Sequence, residues 1–295
     1  MSEFAERERL EKIENALERY LPEKVCTQAE LYRAMRYSLL CGGKRIRPVL
    51  LLEFCRLCGG NENSALPYAC AVEMIHTYSL IHDDLPCMDD DDMRRGRPSN
   101  HKQFGEAMAL LAGDALLTQA FALMMEDEAV KGVGAERAAR AAGILANRAG
   151  APGMVGGQVI DLASEGKKIS LEDLEEMDRL KTGNLIIAAC TMGCVLGGGG
   201  DQEISAASQY AQAVGLAFQV VDDILDVTGD ESDLGKKTGS DGIHDKCTYV
   251  SLLGLEKAQK KADELTEQAL SALDSFPGDT SYLRNLAEIL RRRTH

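Results

Sequence analysis

Apolar residues recur with helical spacing along most of the chain, and no alternating run of useful length argues for a strand. Leu10, Ile13, Leu17 and Leu21 mark an amphipathic first helix that Pro22 ends. A short second helix is expected over 31–41, closed by Gly42-Gly43, followed by an apolar helix over 49–58. The run AVEMIHTYSLIH is apolar on successive faces, with Val72, Ile75, Ser79 and His82 on one and Met74, Tyr78 and Ile81 on another. It predicts a buried helix that Pro86 stops soon after Asp84. Further helices are expected over 103–125, 134–149, 152–163 and 171–196, the last interrupted at Lys181-Thr182-Gly183. Gly197 to Gly200 reads as a tight interhelical loop, and the segment 228–247 is polar and Gly-rich, as a mobile lid would be. The expectation is an all-α helical bundle forming a single domain over 1–295.

Composition narrows the partners. Hydrophobic residues make up 45% of the chain, enough for a substantial core, although aromatics are only 5% and Trp is absent. A net charge of −14 argues against nonspecific nucleic-acid binding, and any anionic substrate must be drawn in by local cations. Nine cysteines, an odd number, with no N-terminal signal segment fit a reducing cytoplasm. Cys55 and Cys58 form a CxxC within an apolar run with no second pair at zinc spacing, so packed free thiols are expected. No segment reads as long and apolar enough to span a bilayer.

The candidate chemistry is concentrated in HTYSLIHDDLPCMDDDDMRRGRP, from His76 to Pro98. It places Asp83, Asp84, Asp89, Asp90, Asp91 and Asp92 in ten positions, followed at once by Arg94, Arg95 and Arg97. Carboxylates that close repel one another unless cations or water absorb the charge. The alternating Asp positions, central Gly and terminal Glu of an EF-hand loop are missing, so a sparsely held magnesium ion with open positions for phosphate fits better. The arginines would grip phosphate oxygens directly.

A second acidic group lies in FQVVDDILD. Asp222 and Asp226, at i and i+4, share one helical face, with Asp223 between them and Gln219 one turn earlier. Carboxylates on an apolar helix are seldom buried without a partner. Two such groups, each on an apolar helix, predict helices facing each other across a metal-filled cleft. Lys44, Arg45 and Arg47, at the mouth of the helix over 49–58, read equally as a solvated basic turn or as an anion site.

Together these motifs resemble the trans-polyprenyl diphosphate synthases. DDLPCMD and DDILD are similar to that family's two aspartate-rich motifs, and GGKRIRP, MIHTYSLIHDD, RRGRPSNHKQFGEAMALLAGDALL, GMVGGQVIDLASEGK and KTG support the match over most of the chain. The similarity is greatest to bacterial-type farnesyl diphosphate synthases. The resemblance implies the isoprenoid synthase bundle with a central active-site cavity, a homodimer, and Mg2+ held by Asp83, Asp84, Asp89, Asp222 and Asp226. It assigns isopentenyl diphosphate to Lys44, Arg47, His76 and Arg95. It assigns the allylic diphosphate to Arg94, Lys181, Thr182 and Lys236, phosphate binding also to Lys246 and substrate binding to Gln219, with Asp223 among the catalytic carboxylates.

Implied chemistry is ionisation of the allylic diphosphate, attack on the cation by the isopentenyl double bond, and loss of a proton. Gln158 and Asp161 read as support for the site, His82 as support for the loop, and the helix over 103–125 as the dimer interface. Tyr78 and Ser79 lie one turn before Asp83, where a growing chain must pass, and the Tyr78 ring should stop it at fifteen carbons. A core-filling role for Tyr78 and a geranyl or geranylgeranyl product stay open. A terpene cyclase would not need GGKRIRP and His76, and a silent subunit would not need both acidic motifs intact.

Overall fold

The structure, a computed structural model, describes residues 3–228 and 247–291. Lys236, Lys246, and Arg292 and Arg293 of the basic end lie outside the described residues. As expected, the fold is all-α. Its contacts group into two compact units, residues 1–143 with 195–198, and residues 144–194 with 199–295.

The first unit begins with α1 (Glu3–Tyr20), α2 (Ala29–Leu39) and α3 (Ile46–Leu57). Helix α3 starts three residues before the expected 49, because Pro48 sits in its first turn, where no amide is needed for the helical ladder. The helix α4 (Glu62–Asp83) is apolar all round and correspondingly buried, with Tyr68, Ala69, Cys70, Met74 and Ile75 fully enclosed. It ends at Asp83, one residue before the expected stop. The expected helix over 103–125 is divided by Gly105, at φ 85°, into α5 (Asn100–Phe104) and α6 (Glu106–Met124). Short α7 (Asp127–Val133), which carries little periodicity, precedes α8 (Ala135–Ala149).

Helix α6 crosses α4 closely. The His82 ring lies over Gly113, and His82 Nε2 is 3.0 Å from the Leu110 carbonyl oxygen. His82 therefore ties α4 to α6, which differs from the loop support expected of it.

The second unit contains α9 (Met154–Ser164), α10 (Leu171–Asp178), a one-turn π-helix (Arg179–Gly183) and α11 (Asn184–Gly197). Long α12 (Asp201–Thr228) follows, then α13 (Tyr249–Leu253), α14 (Leu255–Ala272) and α15 (Ser281–Arg291). Val220, Val221 and Leu225 of α12 pack with Leu174, Tyr249, Ala258, Ala262 and Leu265 into one core.

Two helical runs do reach bilayer-spanning length and apolarity, correcting the sequence expectation: Glu106–Met124 and Leu171–Gly197. The second run is 83% buried in protein and the first only 39%. None of the nine cysteines forms a disulfide, and burial pushes the Cys55 thiol up to about 12, as suits an inert packed group.

Candidate active site

In the first unit the acidic loop folds back on the end of α4. The Asp89 amide donates to the Asp83 carbonyl oxygen at 2.9 Å, and Asp90 N donates to Leu85 O at 3.2 Å. The two extra residues of DDLPCMD thus make a ring that brings Asp89 next to Asp83 instead of lengthening a helix. Asp83 is half-buried and Asp89 exposed. Asp84 is buried, and burial pushes its carboxyl up, an effect opposed by Arg94. Arg94 Nε lies 3.0 Å from Asp84 Oδ1 and 3.3 Å from Oδ2, and Arg94 Nη2 also reaches Asp91 at 3.4 Å.

After the acidic loop comes the one piece of ribbon among the described residues, β1 (Met93–Arg94) antiparallel to β2 (Arg97–Pro98). Arg95 and Gly96 turn it with φ of 52° and 74°, the left-handed pair that a tight hairpin requires. Strands of two residues carry no periodicity, so sequence reasoning could not see them. The hairpin carries Arg95 onto Gly42-Gly43, where its guanidinium donates to the Gly42 carbonyl and lies 3.4 Å from Cys41 Sγ. A Cβ at Gly43 would meet Arg95 Nη1 at 2.8 Å. GGKRIRP and RRGRP are therefore one patch.

Of the three cations in GGKRIRP, one is not a ligand group. Arg45, at φ 46°, turns inward and is fully paired: Nε to Glu14 at 2.8 Å, Nη1 to Glu73 at 2.7 Å, and Nη2 to the Leu39 carbonyl at 2.7 Å. Neither reading of the basic turn holds for Arg45, which is buried and paired, and Lys44 and Arg47 are left as its candidate anion contacts. Lys44 is exposed and Arg47 half-buried, with Arg47 Nε buried and lacking a hydrogen-bond partner.

His76, half-buried on α4, is held well below its ordinary value by burial and then by Arg47, Arg95, Arg45 and Arg94. An uncharged imidazole in that positive field leaves the arginine charges uncompensated by His76. Tyr78 is only 6% exposed and stands edge-on to His82 at 5.7 Å, and Ser79 Oγ donates to the His76 carbonyl at 2.9 Å.

In the second unit the expected interruption of the 171–196 run is the π-helical turn, which carries Lys181 and Thr182 without breaking the helix. Lys181 Nζ pairs with Asp161 of α9. Gly157 lets α9 approach, since a Cβ there would lie 2.3 Å from Lys181 N. Gln158 Nε2 is buried without a partner. Asp222, Asp223 and Asp226 are half-buried on α12, with Asp222 and Asp226 one turn apart. Asp223 Oδ2 accepts the Tyr249 amide at 2.7 Å and so caps the start of α13.

Two groups near these residues were missed from sequence. Asp178 is buried, accepts the Tyr249 hydroxyl at 2.9 Å and is also hydrogen-bonded by Gln219; burial pushes it up to about 6. A single Asp three residues before Lys181 carries no periodic signal. His101 is the other, buried beside Asp90 and Asp92.

The carboxylates fit magnesium. Asp83 and Asp89 offer hard oxygen donors on residues joined by a backbone hydrogen bond, and Asp222 and Asp226 offer another pair one helical turn apart. Asp84 would have to leave Arg94 to join them.

A sequence profile of the polyprenyl synthetase family matches residues 28–284. The chain is 44% identical over 291 residues to farnesyl diphosphate synthase of Bacillus subtilis, covering 98% of this chain and 97% of that one. It is 51% identical over 253 residues to heterodimeric geranylgeranyl pyrophosphate synthase large subunit 1 of Arabidopsis thaliana, covering 85% of this chain and 68% of that protein. Among solved structures it resembles an FPP/GFPP synthase from Zymomonas mobilis, with TM-score 0.87, 36% identity and 98% of each chain covered. A geranylgeranyl pyrophosphate synthetase from Pyrococcus horikoshii gives TM-score 0.90 at 31% identity, with 98% of this chain and 97% of that one covered.

Proposed function

Because the chain belongs to the polyprenyl synthetase family, we propose that this prenyltransferase condenses isopentenyl diphosphate with dimethylallyl and geranyl diphosphate to give farnesyl diphosphate. The observation that carries this reading is the patch in which Arg95 seats on Gly42-Gly43 and so joins GGKRIRP to RRGRP, while burial, and then the charges of Arg47 and Arg95, hold His76 below its ordinary value. A terpene cyclase, with one diphosphate to bind, has no use for that second anion site. Lys44, Arg47, His76 and Arg95 hold isopentenyl diphosphate there, and Lys181, Thr182 and Gln219 orient the allylic diphosphate. Arg94, together with Lys236 and Lys246, is assigned to the allylic diphosphate as well.

The two units form one synthase domain in this reading, and both aspartate groups, Asp83, Asp84 and Asp89 with Asp222 and Asp226, hold magnesium. Bound magnesium supplies charge neutralisation for the departing diphosphate. The cations of the chain add to that stabilisation, and the apolar faces of α4 keep water from the allylic cation. No side-chain base stands out for the final proton, which leaves the released diphosphate as its acceptor. Tyr78, enclosed one turn from Asp83, supports a fifteen-carbon product; the plant relatives that make geranylgeranyl diphosphate support the longer one. Exposed Leu110 and Leu111 on α6 support a homodimer, and nine cysteines without a disulfide support a cytoplasmic enzyme.

The test is a magnesium-dependent assay with labelled isopentenyl diphosphate and each allylic diphosphate, with chromatography of the dephosphorylated products. A fifteen-carbon product lost with EDTA and in Asp83→Ala is expected. A twenty-carbon product keeps the chemistry and overturns the assigned length; no incorporation by folded protein overturns the function.

A further inference from the structure

We propose that Asp90, Asp92 and His101 form a separate site for a divalent transition metal of the zinc class. One ligand atom from each lies within 4.8 Å of the others, so a small rotation of the two exposed aspartates brings all three onto a single ion. Neither aspartate belongs to the carboxylates assigned to magnesium, and Arg94 engages Asp84 and Asp91 but neither of these.

His101 is what distinguishes this group from an ordinary acidic surface. Its ring is buried, 5% exposed, and Nε2 has no hydrogen-bond partner. That nitrogen points at the aspartates: Asp90 Oδ1 is 3.9 Å away, too far for a hydrogen bond and well placed for a shared ion. On the other side of the ring, Nδ1 is 3.1 Å from Ser99 Oγ. With the proton on Nδ1 donated to Ser99, the Nε2 lone pair faces the carboxylates, which is the second-sphere arrangement of a metal-ligating histidine. The Ser99 amide donates to the Asp92 carbonyl at 2.9 Å and fixes the aspartate relative to the ring.

The donor set selects the metal. Imidazole suits zinc, cobalt and similar ions, whereas magnesium strongly prefers oxygen. Three protein ligands leave one or more positions for water, as in an open zinc site. Lys102 Nζ, 2.7 Å from Asp92 Oδ1, occupies one oxygen of this pair as a competing cation; it is exposed and can swing away. An ion here would clamp the acidic loop to the start of α5 and fix the intervening hairpin that carries Arg94 and Arg95.

The experiment uses the full chain with Co2+ as probe, read by its visible absorption in excess Mg2+, and Zn2+ titrations read by 15N NMR of the histidines. Wild type and Asp83→Asn/Asp89→Asn should bind Co2+ alike, and Zn2+ should move the His101 Nε2 resonance. Asp90→Asn/Asp92→Asn, both exposed positions that leave the core intact, should weaken Co2+ binding by at least about tenfold; His101→Gln should do the same. Undiminished binding in the Asp90→Asn/Asp92→Asn protein, complete displacement of Co2+ by Mg2+, or a stationary His101 resonance would each overturn the assignment. None of these readouts depends on prenyltransferase activity.

Discussion

Tyr249 holds two acidic elements at once, donating its hydroxyl to Asp178 at 2.9 Å and its amide to Asp223 at 2.7 Å. The side chain of the first residue of α13 thus reaches the end of α10, while its backbone is tied to the second aspartate group on α12. Asp178 is the strained member of this set. Burial pushes it up to about 6 from the ordinary 3.8, so between those values the folded protein keeps a proton that the unfolded chain has lost. Stability should therefore fall as pH rises from 3.8 to about 6, by on the order of 3 kcal/mol. Thermal melts over that range should show a difference between wild type and Asp178→Asn that shrinks toward acid pH; parallel curves would refute the buried-acid account.

Arg45 and Lys44 are neighbours in sequence with opposite roles. Removing Arg45 leaves Glu73 buried and unpaired, and Arg45→Ala should cost about 3–5 kcal/mol of stability. Lys44→Ala should melt like wild type and raise KM for isopentenyl diphosphate. Denaturant titration and steady-state kinetics on the two variants separate these effects, and a stable Arg45→Ala protein with only a raised KM would return Arg45 to the anion site.

His76 should stay neutral in the free protein at pH 7, since its ionisation is held well below 6.5 by burial and by Arg47. The contribution to stability is then present above 6.5 and lost as the solution is acidified below it. NMR of the ring proton should show no titration near neutrality until inorganic diphosphate is added, which should move the ionisation upward. An unchanged resonance would mean that the anion settles elsewhere.

Tyr78→Ala removes an enclosed ring one turn from Asp83. Products longer than farnesyl diphosphate are expected by chromatography, with roughly 3–5 kcal/mol of lost stability from the cavity. An unchanged product length would leave Tyr78 as core packing against His82 and nothing more.

Helices were legible because their faces are: α1, α4 and α12 announce themselves by apolar spacing, and Pro22 and Pro86 mark real ends. The aspartate groups were legible because carboxylates on apolar helices need a reason. What the residues alone did not disclose depends on direction. Arg45 and Arg47 look alike in a string, and only the left-handed backbone at Arg45 sends it into the core. Asp178 and His101 are single polar residues whose partners lie 71 residues away in one case and in a loop of unusual turns in the other.

The π turn at Arg179–Gly183 has a genetic consequence. Such a turn holds one residue more than the α-helix around it needs, so a single-codon deletion within it would heal the helix into regular hydrogen bonding. That lesion would keep the helix continuous, yet it would rotate Lys181 away from Asp161. The irregularity is thus a frame for the lysine, and this gene can lose the Lys181–Asp161 pair by gaining regularity.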